Sequence, residues 1–171
     1  FRTTGYDPAP EGLEKAPYYN KSFKMGSGSL YSSAMDLLKW DKALYGNEVL
    51  TLKSKEKLFK DYGDNYGLGW GIYNNDDVGK FMSHDGKSPG YFSDMKRDIE
   101  NEPKISIIIL SNINAGVMNS MKTDITNIVF NKDFTQYESY TIAPTPNNLG
   151  EYVGKYDFPP DFHYSIVEKD G

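Results

Sequence analysis

The spacing of apolar side chains divides the chain into a helical stretch, a run of strands, a second helical stretch and a late pair of strands. Residues 1–29 hold several aromatics but no period of 3.6 or 2, and Pro8, Pro10 and Pro17 interrupt them. A long surface loop is expected there. Leu37, Leu38, Trp40, Ala43 and Leu44 then recur at helical spacing. Ser33 with Asp36 three residues on forms an acidic variant of the capping box, and Gly46 supplies the stop. Residues 54–61 scatter Lys and Glu around Leu58 and Phe59, which predicts a short surface helix.

From Tyr66 the period changes. Residues 66–73 alternate glycine with large side chains and read as a strand, residues 74–77 as a turn, and residues 80–84 as a second short strand. Residues 91–98 predict a third strand, closed by a turn at 100–103. Residues 105–111 are the strongest strand of the chain, continuously apolar enough to lie in mid-sheet. Met118, Met121, Ile125, Ile128 and Val129 mark a helix over 118–130, with Asn114 or Asn119 as its cap. Two helices before an antiparallel run of strands, and one after it, imply an α+β class: an antiparallel sheet with flanking helices.

Past residue 130 the character shifts. Residues 131–148 are polar, carry Pro144 and Pro146, and read as a linker. Residues 149–156 and 163–167 read as new strands. Lys169-Asp170-Gly171 is a hairpin turn signal with no return strand, which points to truncation. The expected organisation is one domain portion over 1–130, the linker over 131–148, and the start of a β-rich domain over 149–171.

Composition narrows the function classes. The 171 residues are 38% hydrophobic and 25% charged with a formal net charge of -5, which fits a globular domain and lacks the basic face of a nucleic-acid binder. No apolar run approaches the roughly 20 residues of a membrane span. Without cysteine there is no disulfide framework, thiolate metal site or cysteine nucleophile. The 14 tyrosines suit strands as well as binding surfaces, so they decide nothing alone. Neither a metal nor a cofactor is expected. Asp64 with Asp76 and Asp77 lacks EF-hand spacing and reads as solvated turns, and His163 has no ligand partner at a useful spacing.

Ser83-His84-Asp85-Gly86-Lys87-Ser88-Pro89-Gly90-Tyr91 is the most informative stretch. A short strand would deliver His84 to its end, and Gly86 would let another chain or a ligand approach the backbone. A histidine there can support an anionic or acyl group, with neighbouring N–H groups stabilising an oxyanion. Taken alone, His-Asp-Gly reads more simply as a hairpin turn.

Its neighbours change that reading. Residues 26–40 (Gly-Ser-Gly-Ser-Leu-Tyr-Ser-Ser-Ala-Met-Asp-Leu-Leu-Lys-Trp) form a small-residue turn followed by a helix. Then come Tyr66-Gly67-Leu68-Gly69-Trp70, the series Gly79, His84, Gly86, Pro89, Gly90 and Tyr91, and the strand over 105–112. In this order they resemble the serine penicillin-binding protein and class C β-lactamase family over roughly residues 20–130. The resemblance implies a serine hydrolase that transfers acyl groups from a peptide, ester or β-lactam amide, working outside the bacterial cytoplasm. It places His84-Asp85-Gly86 where the family has its Lys-Thr-Gly element, the third active-site motif.

By that resemblance His84 helps hold and polarise the site, Gly86 leaves room for substrate, and the backbone N–H of Lys87 is an oxyanion donor. Asp85 departs from the usual Thr or Ser. An ionised carboxylate cannot donate to a substrate carboxylate and repels it. This disfavours β-lactams and favours an ester, amide or peptide without a carboxylate there. The family's Ser-x-x-Lys nucleophile and Tyr-x-Asn motifs are missing. Ser54-Lys55-Glu56-Lys57, Ser93-Asp94-Met95-Lys96 and Tyr18-Tyr19-Asn20 match only in spelling. The chain is expected to be a C-terminal fragment, inactive alone, with a non-catalytic binder of peptide or cell-wall material as the other reading. Residues 149–156 resemble the opening of a small β-barrel appended to such hydrolases. A sheet without its partner strands is also expected to self-associate through exposed edges.

Overall fold

A computed structural model of the chain describes residues 3–75, 79–100, 104–135, 153–158 and 162–166. Strands β1 (Tyr6–Ala9) and β2 (Gly12–Lys15) form a hairpin where a loop was expected, and a 3-10 helix follows at Lys21–Lys24. The hairpin was illegible because β2 is exposed throughout, so no burial period marks it, and Pro8 sits inside β1. What fixes it is distant backbone: Tyr6 N donates to Asn112 O at 2.8 Å, and Asn114 N donates to Tyr6 O at 3.2 Å.

Helix α1 (Ala34–Tyr45) starts and stops as read: the Ser33 side chain accepts from Asp36 N, and Gly46 is the C-cap. Its buried line is not the expected one, since Leu44 and Asp41 are buried while Trp40 is 42% exposed. Helix α2 (Leu52–Leu58) begins earlier than expected because Thr51 caps it, accepting from Ser54 N.

Strands β3 (Gly71–Asn75), β4 (Gly79–Ser88), β5 (Tyr91–Asp98) and β6 (Ser106–Ser111) form one antiparallel sheet in sequence order. Residues 66–70 do not join β3 as expected: a turn at Asp64 and Asn65 precedes them, Tyr66 makes an isolated bridge to Gly71, and the chain bends at Gly69, all three of Asp64, Asn65 and Gly69 taking positive φ. β3 itself runs to Asn75, into the expected turn. β4 extends past His84 to Ser88, so His84-Asp85-Gly86 is neither a strand end nor a hairpin turn. The turn is Pro89-Gly90, where Gly90 takes φ +74, as a type II turn requires. A Cβ on Gly90 would stand 2.6 Å from the backbone of Gly5, and Gly90 N donates to Asp7 Oδ1 at 2.9 Å, so the first hairpin packs on this turn.

β6 lies at the sheet edge among the described strands, not in the middle. Helices lie against both faces of the sheet, although within β6 only Ile107 is buried. α1 lies over the face bearing Met82, Met95 and Arg97. Helix α3 (Val117–Val129) lies over the face bearing Asp85, Asp94 and Lys96, reaching them through Lys122 and Thr126. The cap of α3 is Gly116 with no side-chain bond, not Asn114 or Asn119. Under α1, Leu44, Trp70 and Met82 form the core, with Leu50, Leu58, Phe59, Met95 and Ile99 packed against it. This is an α+β arrangement of antiparallel sheet and flanking helices.

By its contacts the chain divides into Phe1–Thr135 and Gln136–Gly171. The second unit contains an antiparallel pair, β7 (Gly154–Phe158) with β8 (Phe162–Ile166). The expected linker beyond residue 135 lies outside the described residues, as do residues 76–77, 101–103 and 169–171 of the expected turns and the side chain of His163.

Candidate active site

β3 stops pairing at Gly71, opposite Ser83, while β5 pairs with β4 as far as Ser88. Among the described residues, 84–88 therefore have a strand on one side and an open edge on the other. Because the Pro89-Gly90 turn makes Ser88 and Tyr91 the closing pair, alternation along β4 turns the peptides of Asp85 and Lys87 toward the open edge. Lys24 Nζ reaches Lys87 O at 3.4 Å from that side.

At the step where β3 ends lies a cleft of about 150 Å³, lined by Tyr66, Gly71, Tyr73, Ser83, His84, Asp85 and Lys122. His84 Nε2 is 2.7 Å from the hydroxyl of Tyr66, and the two rings meet edge to face at 6.0 Å. On the other face of β4, Asp85 Oδ2 accepts from Lys122 Nζ at 3.0 Å, and the same ammonium is 3.7 Å from Asp94 Oδ1.

These charges are unequal in setting. Burial acts to raise the Asp85 carboxyl, but the Lys122 bond and charge, helped by Lys87 and His84, outweigh it and hold Asp85 below the ordinary carboxylate range. Burial wins at Asp94, whose carboxyl is pushed up despite Lys122 and Lys96. At Lys122 burial acts to lower the ammonium, and the two carboxylates more than reverse this, so it is held above its usual value.

Of the residues singled out from the sequence, His84 and Asp85 line the cleft. Gly86 and Lys87 follow along the open edge, outside the lining. The absent side chain of Gly86 leaves its space to Ser93, since a Cβ would stand 2.7 Å from Ser93 Oγ. Ser93 and Lys96 point to opposite faces of β5, as their spacing requires. Ser54 Oγ lies 3.0 Å from its cap partner Thr51 on exposed α2. Tyr66, Tyr73, Ser83 and Lys122 were not picked out as cleft residues. No local pattern identifies Lys122, which reads as the polar side of an amphipathic helix. Tyr66 was visible only as part of the Tyr-Gly-Leu-Gly-Trp run.

A family model described as Beta-lactamase matches residues 2–129. A curated protein, "Penicillin-binding protein 4*" of Bacillus subtilis (strain 168), is 34% identical over 111 residues, which cover 60% of this chain and 24% of that protein. The chain thus spans about a quarter of the length of this relative. No solved structure matches.

Proposed function

The chain belongs to the beta-lactamase family, and on that footing we propose that it supplies one wall of an acyl-transfer site in a serine hydrolase. The observation that carries this reading is the unpaired edge of β4 beside a polar cleft, with His84 at the point where β3 leaves off. An acyl donor lying along that edge would meet the Lys87 N–H as a ready oxyanion donor, and His84 would stabilise developing charge. The reaction is attack of a serine hydroxyl on a peptide, ester or β-lactam carbonyl, followed by transfer of the acyl group to water. The serine with its base would come from sequence outside these 171 residues.

Asp85 bears on the substrate. Its charge is partly neutralised by Lys122, so the repulsion expected toward a substrate carboxylate is reduced rather than removed. Neutral esters and amides are the favoured donors. The same Asp85, in the place of a hydrogen-bond donor, favours the second reading: a non-catalytic member that binds peptide or cell-wall material. By resemblance the protein works at the cell envelope, and the pair β7–β8 belongs to a separate β-rich unit. Among the described residues no helix is long and apolar enough to cross a membrane. The edge strand β6, with Leu110 42% exposed, supports self-association, which light scattering across a concentration series would detect; a clean monomer throughout would refute it.

The chain alone is expected to take no label from a fluorescent penicillin and to release no burst of nitrophenol from a p-nitrophenyl ester. Labelling that disappears in Ser54→Ala or Ser93→Ala would overturn the proposal. In a longer protein carrying Ser-x-x-Lys, a burst supports the enzyme, and tight binding of peptide without a burst supports the binder.

A further inference from the structure

The cleft contains a contact that the acyl-transfer reading does not use: the 2.7 Å approach of the Tyr66 hydroxyl to His84 Nε2. Tyr66 does not belong to a strand. It closes a turn, and both its own backbone N–H and C=O are engaged. Its N–H donates to Gly63 O at 3.1 Å and to Asp61 Oδ1 at 3.3 Å, and its carbonyl accepts from Tyr62 N at 2.9 Å. Asp64 and Asn65 hold left-handed conformations just before it, and Tyr66 bridges Gly71 at the mouth of β3. Beyond it the loop is clamped onto the end of α2. Leu68 N donates to Leu58 O at 2.9 Å, and a Cβ on Gly67 would meet that same carbonyl oxygen at 2.6 Å. A turn this constrained presents the phenol at a fixed place, although Tyr66 is 42% exposed.

A tyrosine hydroxyl can donate or accept, and a neutral imidazole offers one nitrogen of each kind. The phenol oxygen gives up electron density to its ring, so the group is a better donor than acceptor. Nε2 then serves as the acceptor, and the single proton of neutral His84 must sit on Nδ1. We propose that Tyr66 is the positioning residue of His84: its phenol donates to Nε2 and locks the neutral ring as the Nδ1–H tautomer. His84 then has only a donor left to offer a substrate, which suits support of developing negative charge and not proton abstraction. This last step rests on the acyl-transfer reading; the tautomer itself does not.

The test is ¹⁵N-detected imidazole spectroscopy on the 171-residue chain at a pH where the ring is neutral. The sequence holds 2 histidines, so a His163→Gln variant assigns the His84 signals. The expected result is a protonated Nδ1 in the wild type. In Tyr66→Phe the majority form is expected to change to Nε2–H, the form an imidazole prefers in water, with backbone spectra unchanged outside residues 61–71. A phenylalanine keeps the ring packing, so a purely structural role for Tyr66 would leave the tautomer as it was. An unchanged tautomer in Tyr66→Phe overturns the proposal, and so does Nε2–H in the wild type, a result that stands even if the variant fails to fold. Failure of the acyl-transfer reading would look different: an acyl burst unaffected by His84→Gln in the longer protein, whatever the tautomer.

Discussion

The ion pair Arg97–Asp41 under α1 and the pair Lys122–Asp85 under α3 sit on opposite faces of one sheet and have opposite characters. Arg97 Nε lies 2.9 Å from Asp41 Oδ1 with both side chains 2% exposed. The Asp41 carboxylate also accepts from Ser106 Oγ, and the rings of Tyr45, Phe59 and Trp70 surround the guanidinium at 4.2, 5.4 and 5.9 Å. Lys122 and Asp85 are 28% and 42% exposed, and they line the cleft. A sealed pair cannot be reached by substrate, so its role is to join α1 to the sheet. An open pair contributes little to stability and sets the charge that an incoming ligand meets. The sealed pair is enclosed by the fold, whereas the open pair borders the cleft at the strand edge, where His84 reaches it from the Arg97 face.

Breaking the sealed pair should have the largest effect. Arg97→Met leaves Asp41 buried without its counter-charge, and a loss of about 3–5 kcal/mol is expected in urea unfolding. The double variant Arg97→Met with Asp41→Leu sharpens the contrast, because removing both charges should recover much of that loss. Equal damage in single and double variants would contradict the account of this pair.

At the open pair the expected effects are smaller and lie partly in function. In a longer protein with its nucleophile, Asp85→Thr should raise acylation by a β-lactam about tenfold, or ~1.4 kcal/mol, because the repelling carboxylate becomes a donor. A rate unchanged or lowered would show that Asp85 does not face the substrate carboxylate. Lys122→Met should cost only about 1 kcal/mol, since the pair is partly in water. Its pH dependence carries a sign. Asp85 is held below its ordinary value, so the stability it contributes is full at neutral pH and lost as pH falls through its folded value. Asp94 is pushed up by burial, so its ionised form is a liability at neutral pH that eases on protonation. The gap between wild type and Lys122→Met should therefore narrow as pH drops below about 4. The exposed pair Lys39–Asp36 on α1 should be the weakest of all, with Lys39→Ala leaving the unfolding midpoint where it was.

The parts of the fold that could be read from the sequence are those fixed by near neighbours. Ser33 and Asp36 cap α1 across one turn, and the β-branched run of β6 declares itself a strand. The rest depends on contacts far apart in sequence. Asp85 and Gly86 are poor strand formers and mark a strand end at His84, yet pairing with β5 carries β4 to Ser88. An apolar run such as that of β6 reports on the faces of a strand and not on how many strands flank it, so its place at the sheet edge was not legible. In the site, His84 and Asp85 were visible through their ordered neighbours. Their partners were not: Tyr66 is 18 residues from His84, and Lys122 is 37 from Asp85.

The acyl-transfer site proposed for this chain has His84 as one wall. Its most direct test is the pre-steady-state burst of nitrophenol from a p-nitrophenyl ester, measured in a family protein that joins this chain to a Ser-x-x-Lys segment, with and without His84→Gln. The burst rate is expected to fall about a hundredfold while the unfolding midpoint holds. A burst of undiminished rate in the folded variant would contradict it.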